Sequence, residues 1–201
     1  MNSSEPQGET GPSRRLNRLC VLARFSLVGV GLMWLPLGGG SGGAQEFRPT
    51  EYQIKAAFLF NFAKFVQWPP QAFAGGTSPL VIGILGENPF HEDLARTIQG
   101  KTVDEHPVVI KEFLSPAQAT NCHVLFISSS EKRRLPEIIQ ILKGASVLTV
   151  GEMDRFTETG GMINFILEGT KIRFQINKDA AARAGLKISS KLMNLAWRPA
   201  G

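Results

Sequence analysis

Apolar residues in this chain fall into short blocks, and the block that opens its central part keeps helical spacing throughout. From Thr50, a residue suited to cap a helix, Glu51 to Trp68 holds strong helix formers and no glycine or proline until Pro69-Pro70 stops it. Ile54, Phe58, Phe62 and Phe65 mark one face, Leu59, Phe60 and Val66 occupy others, and Gln53, Asn61 and Lys64 are left as a narrow polar stripe. A helix apolar on more than one face is buried on more than one side, here between the core and a partner subunit.

Strands and helices then take turns. Leu80 to Leu85 predicts a β-branched strand, Phe90 to Gln99 a helix, Val108 to Phe113 a strand, and Ser115 to Thr120 a helical turn. Val124 to Ser128 reads as strand, Leu135 to Lys143 as helix, Ser146 to Val150 as strand, and Met153 to Thr157 as a turn. Short apolar strands separated by helices predict a mostly parallel sheet covered on both faces. The rhythm changes at Met162 to Leu167 and Lys171 to Ile176, two strands joined by Glu168-Gly169-Thr170 as a three-residue hairpin loop. Asn177 caps a helix that Gly185 ends, and Ser189 or Ser190 caps a last one through Leu195. The expected class is α/β: a single-domain, three-layer αβα fold with a mixed, mostly parallel sheet and a C-terminal antiparallel hairpin.

The first 44 residues carry a different pattern. Arg14, Arg15 and Arg18 precede the apolar run Phe25 to Leu37, which ends in glycines and Ala44. A charged region, a short apolar region and a small-residue cleavage site make a secretory signal, and the run is well short of the roughly 20 residues a spanning helix needs. Cleavage near Ala44 leaves a short segment, residues 45–50, and an α/β domain over residues 51–197. Arg24 interrupts the apolar stretch, and Gly38 to Gly43 reads equally as a tether for an uncleaved anchor. Either arrangement puts the working domain outside the cytoplasm.

After cleavage the chain holds 18 Lys/Arg against 15 Asp/Glu, about +3, too mild to argue for nucleic acid. Of two cysteines, Cys20 lies in the signal and Cys122 alone remains, so no internal disulfide is expected and the thiol, beside the apolar run Val124 to Ile127, reads as buried.

Catalytic signatures are scarce. Ser128-Ser129-Ser130 follows a strand but lacks the Gly-x-Ser-x-Gly elbow. Cys122 and His123 are strand neighbours whose side chains point to opposite faces, a poor nucleophile and base. His91, His106 and His123 lack metal-helix spacing, so neither a metal nor another cofactor is expected. Gly86, Glu87 and Asn88 occupy the loop between the first strand and its helix, where open α/β sheets bind ligands, and Glu152 sits after a later strand; together they form a possible ligand loop. Lys132-Arg133-Arg134 reads as a solvated helix lead.

Several blocks in order resemble the YfiR family of exported proteins: Tyr52-Gln53-Ile54-Lys55-Ala56-Ala57-Phe58-Leu59-Phe60-Asn61-Phe62-Ala63-Lys64-Phe65 with Trp68-Pro69, Cys122-His123-Val124-Leu125-Phe126-Ile127, Val147 to Val150, Gly161 to Phe165 with Ile172-Arg173-Phe174, and Ala184 to Leu192. The resemblance covers about Glu51 to Ala196. It implies a periplasmic, dimeric, non-enzymatic repressor that holds an inner-membrane diguanylate cyclase inactive, lowers cyclic di-GMP signalling and biofilm formation, and is itself sequestered by an outer-membrane lipoprotein; another membrane sensor is an alternative partner. Family members often pair a first-strand cysteine with the one at Cys122. Here Gly83 stands at that position, so a response to partner or ligand binding is expected instead of an internal thiol switch.

Such a protein works by surface complementarity. Interface hot spots favour aromatics and arginine, which selects Phe58, Phe62, Phe65 and Trp68 on the first helix and Arg173 and Phe174 on the terminal hairpin as partner or dimer contacts. Two rivals are a periplasmic small-molecule sensor using Gly86, Glu87, Asn88 and Glu152, and a small hydrolase using Ser128 or Ser129, which needs a histidine and a carboxylate brought near.

Overall fold

Helix α1 (Glu51–Phe65) is fixed at both ends by its own sequence. Thr50 accepts the Gln53 backbone N–H through Oγ1 at 3.3 Å and Gln53 Oε1 accepts the Thr50 N–H at 3.0 Å, a reciprocal capping box. The helix ends three residues before Trp68, because Val66 turns extended and pairs with Ile188. This structure is a computed structural model describing residues 49–197, and the expected signal and most of the segment after it lie outside the described residues.

A seven-stranded sheet runs in the order β3 (Thr102–Val103), β4 (His106–Phe113), β2 (Leu80–Leu85), β5 (Val124–Ile127), β6 (Leu148–Gly151), β7 (Ile163–Glu168), β8 (Lys171–Ile176). The five central strands are parallel, and β3 and β8 are antiparallel edges. A separate two-stranded ribbon pairs β1 (Val66–Gln67) with β9 (Lys187–Ile188), closing the chain after α1 onto the C-terminal region. The mixed, mostly parallel sheet with a C-terminal hairpin is the fold the sequence pattern predicts.

Alternation along the central strands splits the core in two. Leu80, Ile82, Ile84, Val124, Phe126, Leu148 and Val150 pack under α1, α2 (Asp93–Ile98), α4 (Lys178–Arg183) and α5 (Ser190–Leu195). Val81, Leu85, Leu125 and Ile127 face α3 (Leu135–Ile141) with Cys122 and Phe156. That division makes three layers.

Local chemistry moved some boundaries. The helix expected from Phe90 begins at Asp93, since Asn88 Oδ1 takes the Phe90 N–H at 2.9 Å and His91 sits at a φ of 48°, which no helix carries. The β7–β8 loop is two residues, Gly169–Thr170, because Glu168 pairs with Lys171 and Gly169 supplies a φ of 61°. Asn177 caps α4 by accepting the Ala180 N–H at 2.9 Å, and Ser189 caps α5 through the Leu192 N–H.

The centre of the larger core is aromatic. Phe62 lies 5.7 Å from Phe165 and 5.1 Å from Phe174 between ring centroids, with Phe58 against all three. Because Phe62 is fully buried, Phe62→Ala is expected to cost about 3 to 5 kcal/mol in urea unfolding; a loss below about 1 kcal/mol would show that α1 does not rest on this cluster.

Candidate functional site

The six aromatic and arginine positions expected at an interface divide by burial. Phe62 and Phe174 are 0% and 2% exposed and present no surface. Phe58, Phe65 and Trp68 are half-buried, and Arg173 is exposed. Trp68 donates its indole N–H to the His123 carbonyl at 3.2 Å. Arg173 pairs with Glu168 at 3.1 Å, and Glu168 also accepts the Trp197 indole N–H at 3.1 Å, so a tryptophan joins the arginine on the hairpin. These hydrogen bonds, Trp197's first, hold the Glu168 carboxyl below its ordinary range. Leu167 and Leu195 are exposed beside them in sequence. Sequence reasoning missed Trp197, whose one available signal was an indole just past the last apolar block.

The four ligand-loop residues do not converge. Gly86 adopts a φ of 90°, and a Cβ there would meet Ser130 Oγ at 2.5 Å. The Glu87 N–H donates to Ser130 Oγ at 3.0 Å, and Asn88 reaches Glu112 at 2.7 Å. The loop is thus knitted to the segment after β5, with Ser128 capping its turn by accepting the Ser130 N–H. Among the described residues, no histidine hydrogen-bonds Ser128 or Ser129. Glu152 instead lines a cleft of about 190 Å³ with Glu51, Tyr52, Lys55, Phe165, Ile166, Leu167 and Ile172.

That cleft holds a partly buried cluster of charged and polar side chains. Lys55 is buried and pairs with both Glu51 and Glu152, and Glu152 also accepts the Tyr52 hydroxyl at 3.2 Å. Burial opposes the charge on Lys55, but hydrogen bonds and attraction from Glu152 and Glu51 outweigh it and raise the lysine above its ordinary value. Burial, then the Glu152 charge, pushes Tyr52 up as well. Lys55 escaped the sequence reading, although Glu51 and Lys55 stand at the i,i+4 spacing of a helical ion pair.

At the other end of the sheet His123 is buried in a stack. Phe73 lies between His106 and His123, with centroids 4.0 and 4.4 Å away, and Trp68 meets His123 edge-on. His123 Nδ1 accepts the Val81 backbone N–H at 3.0 Å, which fixes the neutral ring's proton on Nε2. Nε2 has no hydrogen-bond partner among the described residues; the Ala72 carbonyl is near enough to favour protonation without forming a bond. Burial, the larger effect, lowers the His123 pKa. Cys122 beside it is buried and its thiol is pushed up to about 12, so it is inert as a nucleophile.

A profile of the YfiR/HmsC-like family matches residues 52–197. The chain belongs to that family. Its members are periplasmic and regulatory, not catalytic. Among solved structures, the chain is similar to a conserved domain protein from Vibrio cholerae O1 biovar eltor, at 13% identity and a TM-score of 0.51 over 73% of this chain. It spans 59% of that protein, and the likeness is one of fold. The YfiR/HmsC-like match runs from Tyr52 in the Lys55 cluster to Trp197, which follows α5 and bonds Glu168 of the hairpin, so both lie inside the family domain. At Gly83 a Cβ would stand 2.6 Å from the Phe113 ring and 2.9 Å from Leu125, so here the ring of Phe113 takes the space of a side chain.

Two measurements test these clusters. Lys55→Met leaves Glu152 buried without its cation and is expected to cost about 3 to 5 kcal/mol, part of it restored by adding Glu152→Gln; equal losses in single and double variants would show no coupling. Because folding lowers the His123 pKa, the unfolded state binds the extra proton, and this residue's contribution to stability is full above about pH 6.5 and declines as pH falls below it. Denaturation at pH 7.5 and 5.0 should show that decline shrinking in His123→Asn, which keeps an acceptor for Val81 but does not titrate; an unchanged slope would exclude His123 as its source.

Proposed function

We propose that this protein is a periplasmic regulator that binds an inner-membrane diguanylate cyclase and represses it, lowering cyclic di-GMP output. The observation that carries the reading is family membership across residues 52–197. The surface supports it. The aromatic rows of α1 are largely spent on the core, which leaves the β7–β8 hairpin with exposed Arg173 and Leu167, half-buried Trp197, and the outer parts of Phe58, Phe65 and Trp68 as the partner face. Arginine and tryptophan side by side are the residue types that dominate interface energies. Arg173 is held ready by Glu168, which a partner carboxylate can replace.

The same reading includes a homodimer in the envelope, an outer-membrane lipoprotein that draws the repressor away, and an effect on biofilm formation. A small-molecule sensor is the second reading, and the Tyr52–Lys55–Glu152 cleft supports it better than the Gly86 loop, since the cleft is concave and polar at once.

The test is to express wild-type and Arg173→Glu protein in a strain lacking it and to measure cyclic di-GMP, with mild crosslinking to recover the bound membrane protein. Wild type is expected to lower cyclic di-GMP and to capture a membrane protein bearing a cytoplasmic cyclase domain. Arg173→Glu, whose side chain is exposed, should fold normally yet bind at least tenfold more weakly. Unchanged cyclic di-GMP with wild type present would overturn the repressor reading.

A further inference from the structure

We propose that the cleft between α3, the turn before β7 and α4 binds a small amphipathic anion, an aliphatic or aromatic carboxylate. The cleft encloses about 530 Å³, within the range of small-molecule sites. Its floor is apolar, made by Leu142, Val147, Met162, Ala180 and Ala184. The concavity follows from what the sequence omits. Ala180 and Ala184 stand one helical turn apart, and Gly144 and Gly160 put no side chains on the walls, both at positive φ where a larger residue is strained.

Charge selects the occupant. Lys143 and Arg183 line the cleft, and no aspartate or glutamate does. Both cations are exposed. Unlike Lys55, Arg96, Lys132, Arg134, Arg155 and Arg173, each of which holds a carboxylate, neither makes an ion pair with a described residue. An apolar tail on the floor and one carboxylate shared between an ammonium and a guanidinium satisfy both halves of the site, the guanidinium giving a two-point grip. The cleft lies where β6 begins, opposite the end where Glu152 meets Lys55. None of its residues belongs to the interface proposed above, so ligand binding and repression are separable.

Titration calorimetry of the purified protein with decanoate below its micelle concentration, decanol and decyltrimethylammonium tests the assignment. Saturable one-to-one binding of decanoate is expected, with decanol at least tenfold weaker and the ammonium not bound. The Lys143→Glu/Arg183→Glu double variant, which alters two exposed side chains, should melt as wild type does and lose at least tenfold in decanoate affinity. No saturable decanoate binding, equal binding of decanol, or undiminished binding by the double variant would each overturn the proposal.

Discussion

A lysine buried under the first helix needs its carboxylates, and that need sets much else. Removing Lys55 from water is costly unless Glu152 and Glu51 stay in place, so the start of α1 is tied to the residue just after β6. At 3.6 residues per turn, fixing Lys55 fixes the rotation of the helix. Phe58, Leu59 and Phe62, three, four and seven residues on, then point into the sheet, where Phe58 and Phe62 meet Phe165 and Phe174. The ion pair chooses the face, and the aromatic cluster supplies the attraction. Buried charge gives orientation at little net gain, whereas each buried phenylalanine contributes about 1.5 to 3 kcal/mol.

The far end of the sheet is organised by a different economy. The chain leaving α1 must travel back to β2 across strand starts, and Trp68, Phe73, His106 and His123 hold that crossing by stacking and by bonds to backbone. His106 accordingly uses Nδ1 on the Ser78 carbonyl at 2.6 Å. The histidines that a sequence reader scans for metals serve here as flat polar rings able to reach main-chain groups, and among the described residues no group of three or more potential ligands gathers.

Where period and composition agreed, the fold was legible. β2, β5 and β6 are β-branched runs with glycine or polar breaks, and Asn177, Gly185 and Ser189 sit where capping chemistry puts them. The β3–β4 hairpin was not, because its turn is Asp104-Glu105, both at positive φ, without the glycine or asparagine that usually announces such a turn. Two-residue strands such as β1 and β9 are too short to show alternation. Of the candidate contacts, Phe62 and Phe174 are buried for a different reason. Aromatic spacing on α1 identifies a face but not its neighbour, and the hairpin returned over that face, so Phe62 and Phe174 found each other. Lys55 was hidden because its main partner lies 97 residues away.

With Phe62 and Phe174 committed to the core, the hairpin exposes Leu167 and charged side chains more than a bare strand edge. β8 is an edge of the sheet, and an unprotected edge invites strand addition. Here the Trp197 backbone N–H donates to the Phe174 carbonyl at 2.8 Å, occupying the middle of that edge. Outward-facing backbone groups repeat every second residue, so Ile172 is the next free position toward the hairpin tip, and it lies between the exposed cations Lys171 and Arg173. A hairpin blocked at its centre and charged at its tip disfavours pairing with arbitrary strands. It leaves Arg173 and Leu167 exposed beside that tip without the hazard of an open sheet edge.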